Sequence, residues 1–339
     1  MRTEVQLLDT APSPALTGRP GAARPVRRPK DGLWQRLWAA RWSFLYIAPL
    51  MALLLTFVVY PIFGSLVYTL YRWNGIGSPD DFVGLENFRQ IMADSIFWRA
   101  VGHTFTYAII VVPVQLAIAL VLALVLNNKR LRFRSFYRTL FFLPVVTSPA
   151  VVGVVIQLML SNFGDTLNGW LLDAHLIDKP IDFLGNPDIA LWIIIAVGIW
   201  QTLGYNLVYF LAGLQTIPDE VYEAAKIDGA GRFRTFFNIT VPLLRPVGMM
   251  IVILAFIGSF QVFDLVQVLT GGGPFFGTEV VNTYIYHLAF GGNQAQATEP
   301  NVGLASAASF FYGLLLIGFS VLQVLIFRSI AKRRATGRA

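Results

Sequence analysis

Long uncharged apolar runs alternate along the chain with shorter charged segments. Six runs are long enough to cross a bilayer as helices, which requires about 20 mostly apolar residues each. None of them contains lysine or arginine, and they are Phe44–Leu70, Val101–Leu126, Thr139–Leu160, Ile189–Ala212, Val247–Thr270 and Leu304–Phe327. The pattern predicts an all-α integral membrane protein with six transmembrane helices.

Six runs of this length leave little room for the other interpretation, in which they are buried helices of a soluble core. The first run begins too late and is too long for a cleaved signal peptide. Prolines inside the runs are predicted to kink the helices without ending them, because neighbouring groups satisfy the freed carbonyls. These prolines are Pro49, Pro61, Pro113, Pro144 and Pro149.

The distribution of basic residues predicts the orientation. Of the 26 lysine and arginine residues, 22 lie before the first run, after the second, after the fourth or after the last. Because lysine and arginine concentrate in cytoplasmic loops, both termini are predicted to be cytoplasmic. The segments predicted on the outer side of the membrane carry eleven of the 19 acidic residues. The net charge of +7 is therefore a signal of topology and not of nucleic-acid binding.

Residues 1–43 form a predicted cytoplasmic tail, and residues 44–339 form the membrane domain. Residues 1–32 are rich in Pro, Arg, Ala and Gly without periodicity, which predicts disorder. Trp34, Trp38 and Trp42 recur every four residues and share one face of a helix. Since tryptophan favours the membrane–water interface, residues 33–42 are predicted to form an interfacial helix. A membrane-proximal start of the first span is the alternative.

Composition excludes several kinds of chemistry. The chain is 55% hydrophobic and 13% charged, and it contains no cysteine, which excludes disulfides, zinc thiolates and iron–sulfur clusters. It has no Gly-x-x-x-x-Gly-Lys-Ser/Thr loop for ATP phosphates, and Asp264 is the only acidic residue within a run. We therefore predict that the chain is not an enzyme and needs no cofactor, and that any energy from ATP comes from a partner.

The predicted cytoplasmic loop 213–246 is too apolar for a solvated linker. It opens with a helix-start pattern, Thr216-Ile217-Pro218-Asp219, and a short helix is predicted to run until Gly229. A second segment, Phe233–Val241, is predicted to end at Pro242. Some apolar side chains need cover from another protein or from the chain's own membrane helices, and these are Val221, Tyr222, Phe233, Phe236 and Phe237.

The same loop resembles the EAA motif of importer permeases, which reads Glu-Ala-Ala, three residues, Gly, nine residues, Ile, one residue, Leu-Pro. Here Glu223-Ala224-Ala225 is followed at the same spacing by Gly229, Ile239 and Val241-Pro242, with valine in place of leucine. The strings 222–231, 239–246 and 269–274 are similar to carbohydrate permeases of the maltose-permease type. Over about residues 40–330, the chain resembles a permease subunit of a binding-protein-dependent ABC importer.

The resemblance implies a type I ABC importer transmembrane domain in the bacterial cytoplasmic (inner) membrane, importing a sugar. It implies a second homologous permease, which the resemblance favours as a different chain, two cytoplasmic ATPase subunits and an extracytoplasmic substrate-binding protein, with no nucleic acid. The loop becomes a coupling helix for the ATPase, and Glu223 is expected to pair with a basic residue there rather than only favour its helix dipole. The residues assigned to this coupling are Glu223, Ala224, Ala225, Asp228, Gly229, Ala230, Gly231, Ile239 and Pro242.

The resemblance to maltose permease also implies a solute pathway in the helices on either side of the loop. Counting from the motifs assigns Gln201, Thr202, Tyr205, Ser259 and Gln261 to it, and only Tyr205 keeps the family's residue. Such a polar and aromatic lining suits sugar hydroxyls. Asp264 is expected to face protein or water and to make a structural hydrogen bond, and a contact with the solute is the alternative. Three glutamines are expected to link helices, and these are Gln115, Gln157 and Gln323.

Two alternatives stay open. The same machinery would serve a polyol or glycerol-phosphate, although an anionic solute favours a basic group and the six runs contain none. A stand-alone secondary transporter is the alternative from another class, and such proteins often show internal repeats and intramembrane ion sites. A membrane-bound enzyme is a distant third.

Overall fold

The computed structural model describes residues 41–128, 131–292 and 299–336, and helices dominate them. In chain order the helices are α1 (Arg41–Leu54), α2 (Tyr60–Tyr68), α3 (Glu86–Ala93), α4 (Ser95–Asn127), α5 (Arg134–Val146), α6 (Pro149–Asp173), α7 (Pro187–Gln215), α8 (Asp219–Ile227), α9 (Arg232–Thr235), α10 (Val241–Phe260), α11 (Asp264–Leu269), α12 (Val281–Phe290) and α13 (Val302–Thr336). There are also two π-helical turns, Leu55–Val59 and Phe236–Thr240, and an antiparallel pair of strands, β1 (Tyr71–Arg72) and β2 (Asp81–Phe82). The predicted disordered tail and interfacial helix lie outside the described residues, except at Arg41 and Trp42, where α1 begins.

Six stretches of the described chain are long and apolar enough to cross a membrane. They are Leu45–Tyr68, Ser95–Asn127, Pro149–Asp173, Pro187–Gln215, Arg232–Leu269 and Val302–Ser329. Each stretch overlaps one of the predicted runs, which confirms the prediction of six transmembrane helices. The direction in which they cross stays a prediction.

The third predicted run, Thr139–Leu160, is wrong as a single helix. Thr147 and Ser148 lie between α5 and α6 with ψ near 135° at both, which is outside the helical region. The cause is Pro149, because proline lacks an N–H and pushes the residue before it into extended backbone. Pro149 therefore begins a helix instead of kinking one, and that helix continues to Asp173.

The fifth predicted run, Val247–Thr270, is also interrupted. α10 ends at Phe260 and α11 begins at Asp264, and we call the segment Gln261–Phe263 between them the helix break. Phe263 has φ −149° and ψ −67°, which no α-helix contains. Asp264 therefore lies at the first position of a short helix and not in the middle of a span.

The segment after the EAA residues does not end at Pro242 as predicted. α9, the turn Phe236–Thr240 and α10 follow one another without a gap, and Pro242 lies near the start of α10. Proline cannot donate to the carbonyl four residues earlier, and its ring clashes with that carbonyl. A π-helical turn just before the proline accommodates this mismatch, and Leu55–Val59 has the same relation to Pro61.

The described chain divides into two units, one up to Val59 and one from Tyr60 onward. In the second unit, α4 packs along α7, and α10 packs against both. α5 also contacts α7, and Gly204 permits the close approach, since a Cβ there would lie 2.7 Å from the carbonyl oxygen of Phe141. Small residues at helix crossings are typical of membrane proteins. This packing places polar residues of α4, α7 and α10 around one cavity.

Candidate functional site

Helix α8 carries the EAA residues and begins at Asp219, within the predicted start pattern. Thr216 acts at the end of the preceding helix, where its Oγ1 donates to the carbonyl oxygen of Gly213 at 2.7 Å. Asp219 and Glu220 occupy the first turn of α8. Glu223 lies one turn further on, where the helix dipole contributes little. Stabilisation of α8 by its dipole therefore does not explain why a carboxylate occupies position 223.

The three EAA residues face in two directions. Ala225 is only 5% exposed, and nearby Tyr222 places its hydroxyl 3.3 Å from Oγ1 of Thr240. Glu223 and Ala224 are exposed. Among the described residues, Glu223 has no hydrogen-bond or ion-pair partner. Ala225 thus serves the packing of this chain, whereas the Glu223 carboxylate is open to another protein.

Gly229 ends α8 in a Schellman motif. Its φ is +72°, and its N–H donates to the carbonyl oxygen of Lys226 at 3.1 Å. The N–H of Ala230 donates to the carbonyl oxygen of Ala225 at 2.9 Å, which completes the motif. A Cβ at Gly229 would meet no atom within 4 Å. Glycine is therefore required here by the left-handed backbone and not by crowding.

The other residues predicted for coupling lie between positions 228 and 242 of the chain. Gly231 has φ −67°, and a Cβ there would meet no atom within 4 Å. Neither backbone nor space in the described chain therefore requires glycine at this position. Asp228 and Pro242 are exposed, whereas Ala230 and Ile239 are partly buried.

Large apolar side chains are exposed close to Glu223 in sequence. Ile227 is 87% exposed, Phe233 83% and Phe237 61%. The other members of the predicted apolar set are partly buried, and these are Val221, Tyr222 and Phe236. We define the coupling surface as Glu223, Ala224, Ile227, Phe233 and Phe237. Exposed apolar area of this kind is typical of a protein–protein interface.

A cavity of about 430 Å³ lies beside α7 and the helix break. All five residues predicted for the solute pathway line it, namely Gln201, Thr202, Tyr205, Ser259 and Gln261. Sequence counting missed other polar or aromatic lining residues, namely Tyr107, Gln115, Asn206, Tyr209, Phe263 and Asp264. Asn206 and Tyr209 each lie four residues after a predicted member, so helical spacing is the signal that finds them. Contact with a solute stays a prediction for all of these residues.

Polar contacts tie the α7 wall of the cavity to its neighbours. The Thr202 hydroxyl lies 2.7 Å from the carbonyl oxygen of Gly198 and within hydrogen-bonding distance of Oε1 of Gln115 in α4. Gln115 is buried, and it links two helices as predicted. Gln201 donates from Nε2 to the carbonyl oxygen of Thr147 at 3.4 Å, at the junction of α5 and α6. Gln201 and Thr202, two of the three predicted pathway residues on α7, are therefore bonded to groups outside that helix.

Side chains from two other helices satisfy backbone groups at the helix break. The carbonyl oxygen of Phe260 accepts from Nδ2 of Asn282 at 3.1 Å and from the Tyr312 hydroxyl at 2.9 Å. The carbonyl oxygen of Val262 also accepts from Nδ2 of Asn282, at 3.1 Å. These bonds replace those that a continuous helix would make, which explains why the chain can interrupt a span here.

Asp264 is the one charged residue among the described residues that line the cavity. Its side chain is exposed and makes no hydrogen bond or ion pair with any described residue, so the expected structural hydrogen bond is wrong. The lining is otherwise neutral, with amides, hydroxyls and aromatic rings. Within the described part of the chain, no three His, Asp or Glu side chains are grouped to hold a metal ion.

A match to a family profile identifies the class of protein to which this chain belongs. The profile for "Binding-protein-dependent transport system inner membrane component" matches residues 115–335, a range that includes the EAA loop and most of the cavity lining. The chain belongs to this family. With six membrane helices, this family member is a multi-pass protein of the cytoplasmic membrane, and the resemblance drawn from the EAA motif is confirmed.

Curated relatives match the family member over most of their length. LacF, a lactose transport system permease protein of Rhizobium radiobacter, is 36% identical over 283 residues, covering 83% of this chain and 92% of LacF. MalF, a trehalose/maltose transport system permease protein of Thermococcus litoralis, is 32% identical over 289 residues, covering 85% of this chain and 94% of MalF. UgpA, an sn-glycerol-3-phosphate transport system permease protein of Agrobacterium fabrum, is 30% identical over 291 residues, covering 86% of this chain and 94% of UgpA.

One solved structure has the same fold. It is a chain of a bacterial alginate ABC transporter in complex with an alginate pentasaccharide-bound periplasmic protein. The TM-score is 0.72 at 21% sequence identity, and the match covers 88% of this chain and 98% of that chain.

Proposed function

We propose that this permease subunit forms, together with a second permease, the pathway for an uncharged sugar. The observation that carries the proposal is the cavity, whose lining in this family member offers amides, hydroxyls and tyrosine rings. Sugars present many hydroxyl groups to such donors and acceptors and an apolar ring face to aromatic side chains. The names of LacF and MalF, which refer to sugars, support the same cargo class.

Glycerol-phosphate is the second candidate, and the relative UgpA supports it. A phosphate group is usually held by arginine or lysine, but the described lining contains neither and carries the Asp264 carboxylate. The charge of the cavity therefore favours a neutral solute. Competition separates the two, because excess glycerol 3-phosphate should leave sugar uptake unchanged if the cargo is neutral.

Two ATPase subunits on the cytoplasmic side are proposed to supply the energy. The coupling surface supports this, since it combines an available carboxylate with exposed apolar side chains in the loop that carries the EAA motif. An extracytoplasmic binding protein is proposed to deliver the solute, and the complex reported for the alginate transporter supports this partner.

The proposed machine is tested by purifying the tagged chain from its native membrane and identifying the proteins that remain bound. A second permease and an ATPase are expected. The complex is then reconstituted in vesicles with a candidate substrate-binding protein of the same organism, and uptake of radiolabelled lactose, maltose and glycerol 3-phosphate is measured with and without internal ATP. Sugar uptake that requires ATP supports the proposal. Uptake by the chain alone, driven by an ion gradient, would instead identify a secondary transporter.

Both termini are proposed to be cytoplasmic, which places the coupling surface on the side of the ATPase. The chain contains no cysteine, so single cysteines report orientation directly. Cysteines replacing the exposed Leu85 and Phe290 should react with an impermeant reagent in intact cells. Cysteines replacing Phe233 and Ala335 should react only after the membrane is opened. Labelling of the Phe233 position from outside would reverse the orientation.

A further inference from the structure

Helix α12 contacts the helix break through two side chains one turn apart. Asn282 uses the two N–H groups of its amide on two carbonyl oxygens, those of Phe260 and Val262, both at 3.1 Å. Tyr286, four residues later, places its ring 5.4 Å from the ring of Phe263. Residues four apart share one face of a helix, so one face of α12 lies against the break.

The two residues bonded by Asn282 flank one cavity residue in the sequence. Phe260 and Val262 are the immediate neighbours of Gln261, and Ser259 precedes Phe260. Because the carbonyl on each side of Gln261 is held by the same amide, the backbone of Gln261 cannot turn without breaking a bond to α12. Both Ser259 and Gln261 line the cavity.

A different face of α12 is anchored to the region around the start of α4. The N–H of Val281 donates to Oγ1 of Thr104 at 3.0 Å, and the Tyr284 hydroxyl donates to Oδ2 of Asp94 at 2.6 Å. Burial, the larger cause, and the bond to Asp94 raise the pKa of Tyr284, so its hydroxyl keeps the proton that it donates. At the end of α12, Phe290 is 69% exposed.

We propose that Asn282 is a positioning residue that joins α12 to the cavity, so that a shift of α12 on the outer side changes the placement of Gln261 and Ser259. The proposal rests on the proposed function, in which a binding protein docks on the outer side. The exposed end of α12 lies in segment 271–303, which the distribution of charge places there. In this proposal the Asn282 amide is the hydrogen-bonding link between docking on the outer side and the cavity.

The alternative is that Asn282 only satisfies two carbonyls and so stabilises the fold. The chain offers a matched control for that role, because Nδ2 of Asn87 donates to the carbonyl oxygens of Thr69 and Tyr71, both at 2.9 Å. Asn87 is buried, lies in α3 and does not line the cavity. Aspartate at either position keeps the shape of the side chain and removes both donors.

The test compares Asn282→Asp with Asn87→Asp in the complete reconstituted importer. Asn282→Asp is expected to reduce the stimulation of ATP hydrolysis by loaded binding protein about tenfold, because two hydrogen bonds are lost, while basal hydrolysis stays within about twofold. It should also raise the KM for uptake more than it lowers kcat. Asn87→Asp should lower the melting temperature of the complex and leave the stimulation unchanged. Equal stimulation in wild type and Asn282→Asp, or an equal loss in Asn87→Asp, would overturn the proposal.

A second readout does not depend on transport. Gln261→Cys introduces the only cysteine of the chain, and its rate of reaction with a small neutral maleimide reports the accessibility of that position. Adding Asn282→Asp should change this rate about threefold or more, whereas adding Asn87→Asp should not. An unchanged rate would remove Asn282 as a positioning residue, even if ATP-driven uptake itself is absent and the proposed function fails.

Discussion

The coupling surface and the helix break are built in opposite ways. At the coupling surface, a carboxylate and large apolar side chains point away from the chain and find few partners within it. At the helix break, the carbonyls of Phe260 and Val262 are both taken by side chains of α12 and α13. Under the proposed function, the first region is completed by another protein, whereas the polar groups of the second are satisfied within this chain.

This difference explains why a motif marks one region and not the other. A surface that must fit a partner depends on residue types at fixed spacing in one short loop, and the EAA residues have that form. A broken helix depends on residues far apart in sequence, here Phe260, Asn282 and Tyr312. The following predictions test whether the two regions differ in function as they do in construction.

The largest effect is expected from Glu223→Lys. If Glu223 pairs with a basic residue of the ATPase, reversal of its charge should weaken ATPase binding about 30-fold or more, since removing one partner of a buried interfacial pair costs about 2–5 kcal/mol. The measurement is the amount of ATPase that co-purifies with the permease, together with ATP-driven uptake. Asp178→Lys is the control, an equal charge change at another exposed position. Normal co-purification and uptake in Glu223→Lys would remove the coupling role of this loop.

A smaller effect is expected at the cavity. Tyr205→Ala and Ser259→Ala should each lower sugar uptake about two- to tenfold, the loss expected for one hydrogen bond to the solute. ATP hydrolysis without solute should persist, because neither residue belongs to the coupling surface. Trp192→Ala is the control on α7, the helix that carries Tyr205, since Trp192 is exposed but does not line the cavity. If both variants transport like the wild type, these residues do not contact the solute.

The smallest effects separate two glycines of the EAA loop. Gly229→Ala should destabilise the end of α8 by about 1–2 kcal/mol, because alanine is strained in the left-handed region. Gly231→Ala should leave the isolated chain unchanged, since its φ is ordinary and its surroundings are open. The measurements are the melting temperature of the permease and the retention of the ATPase. A loss of ATPase by Gly231→Ala without a change in melting temperature would place Gly231 in the interface. A lower melting temperature in Gly231→Ala would contradict the conclusion that only Gly229 is required by its backbone conformation.

The apolar runs predicted six membrane helices because their length is a direct requirement of the bilayer. They did not predict the interruptions. Pro149 looks like a kink from sequence, and only the extended backbone of Thr147 and Ser148 shows that it starts a new helix. The break at Gln261–Phe263 contains neither proline nor glycine, so no local signal marks it. It depends on Asn282 and Tyr312, whose proximity is a property of the fold.

The fraction of site residues that could be predicted from sequence differed between the cavity and the EAA loop. Counting along two helices reached five cavity residues because helices on either side of the EAA loop keep their register. The same counting missed Tyr107 and Gln115, which lie on α4 and join the cavity through helix packing. Sequence also could not separate Ala224 from Ala225, although one is exposed and the other is buried.

The exposed apolar area of the coupling surface has a consequence for the life of the protein in the cell. Ile227, Phe233 and Phe237 are exposed, and exposed apolar side chains are what chaperones and membrane proteases recognise in unassembled subunits. If the coupling surface binds an ATPase as proposed, a copy made in excess of that ATPase would therefore be degraded, and its abundance would follow that of its partner. Balanced synthesis of the subunits then becomes a requirement imposed by three side chains.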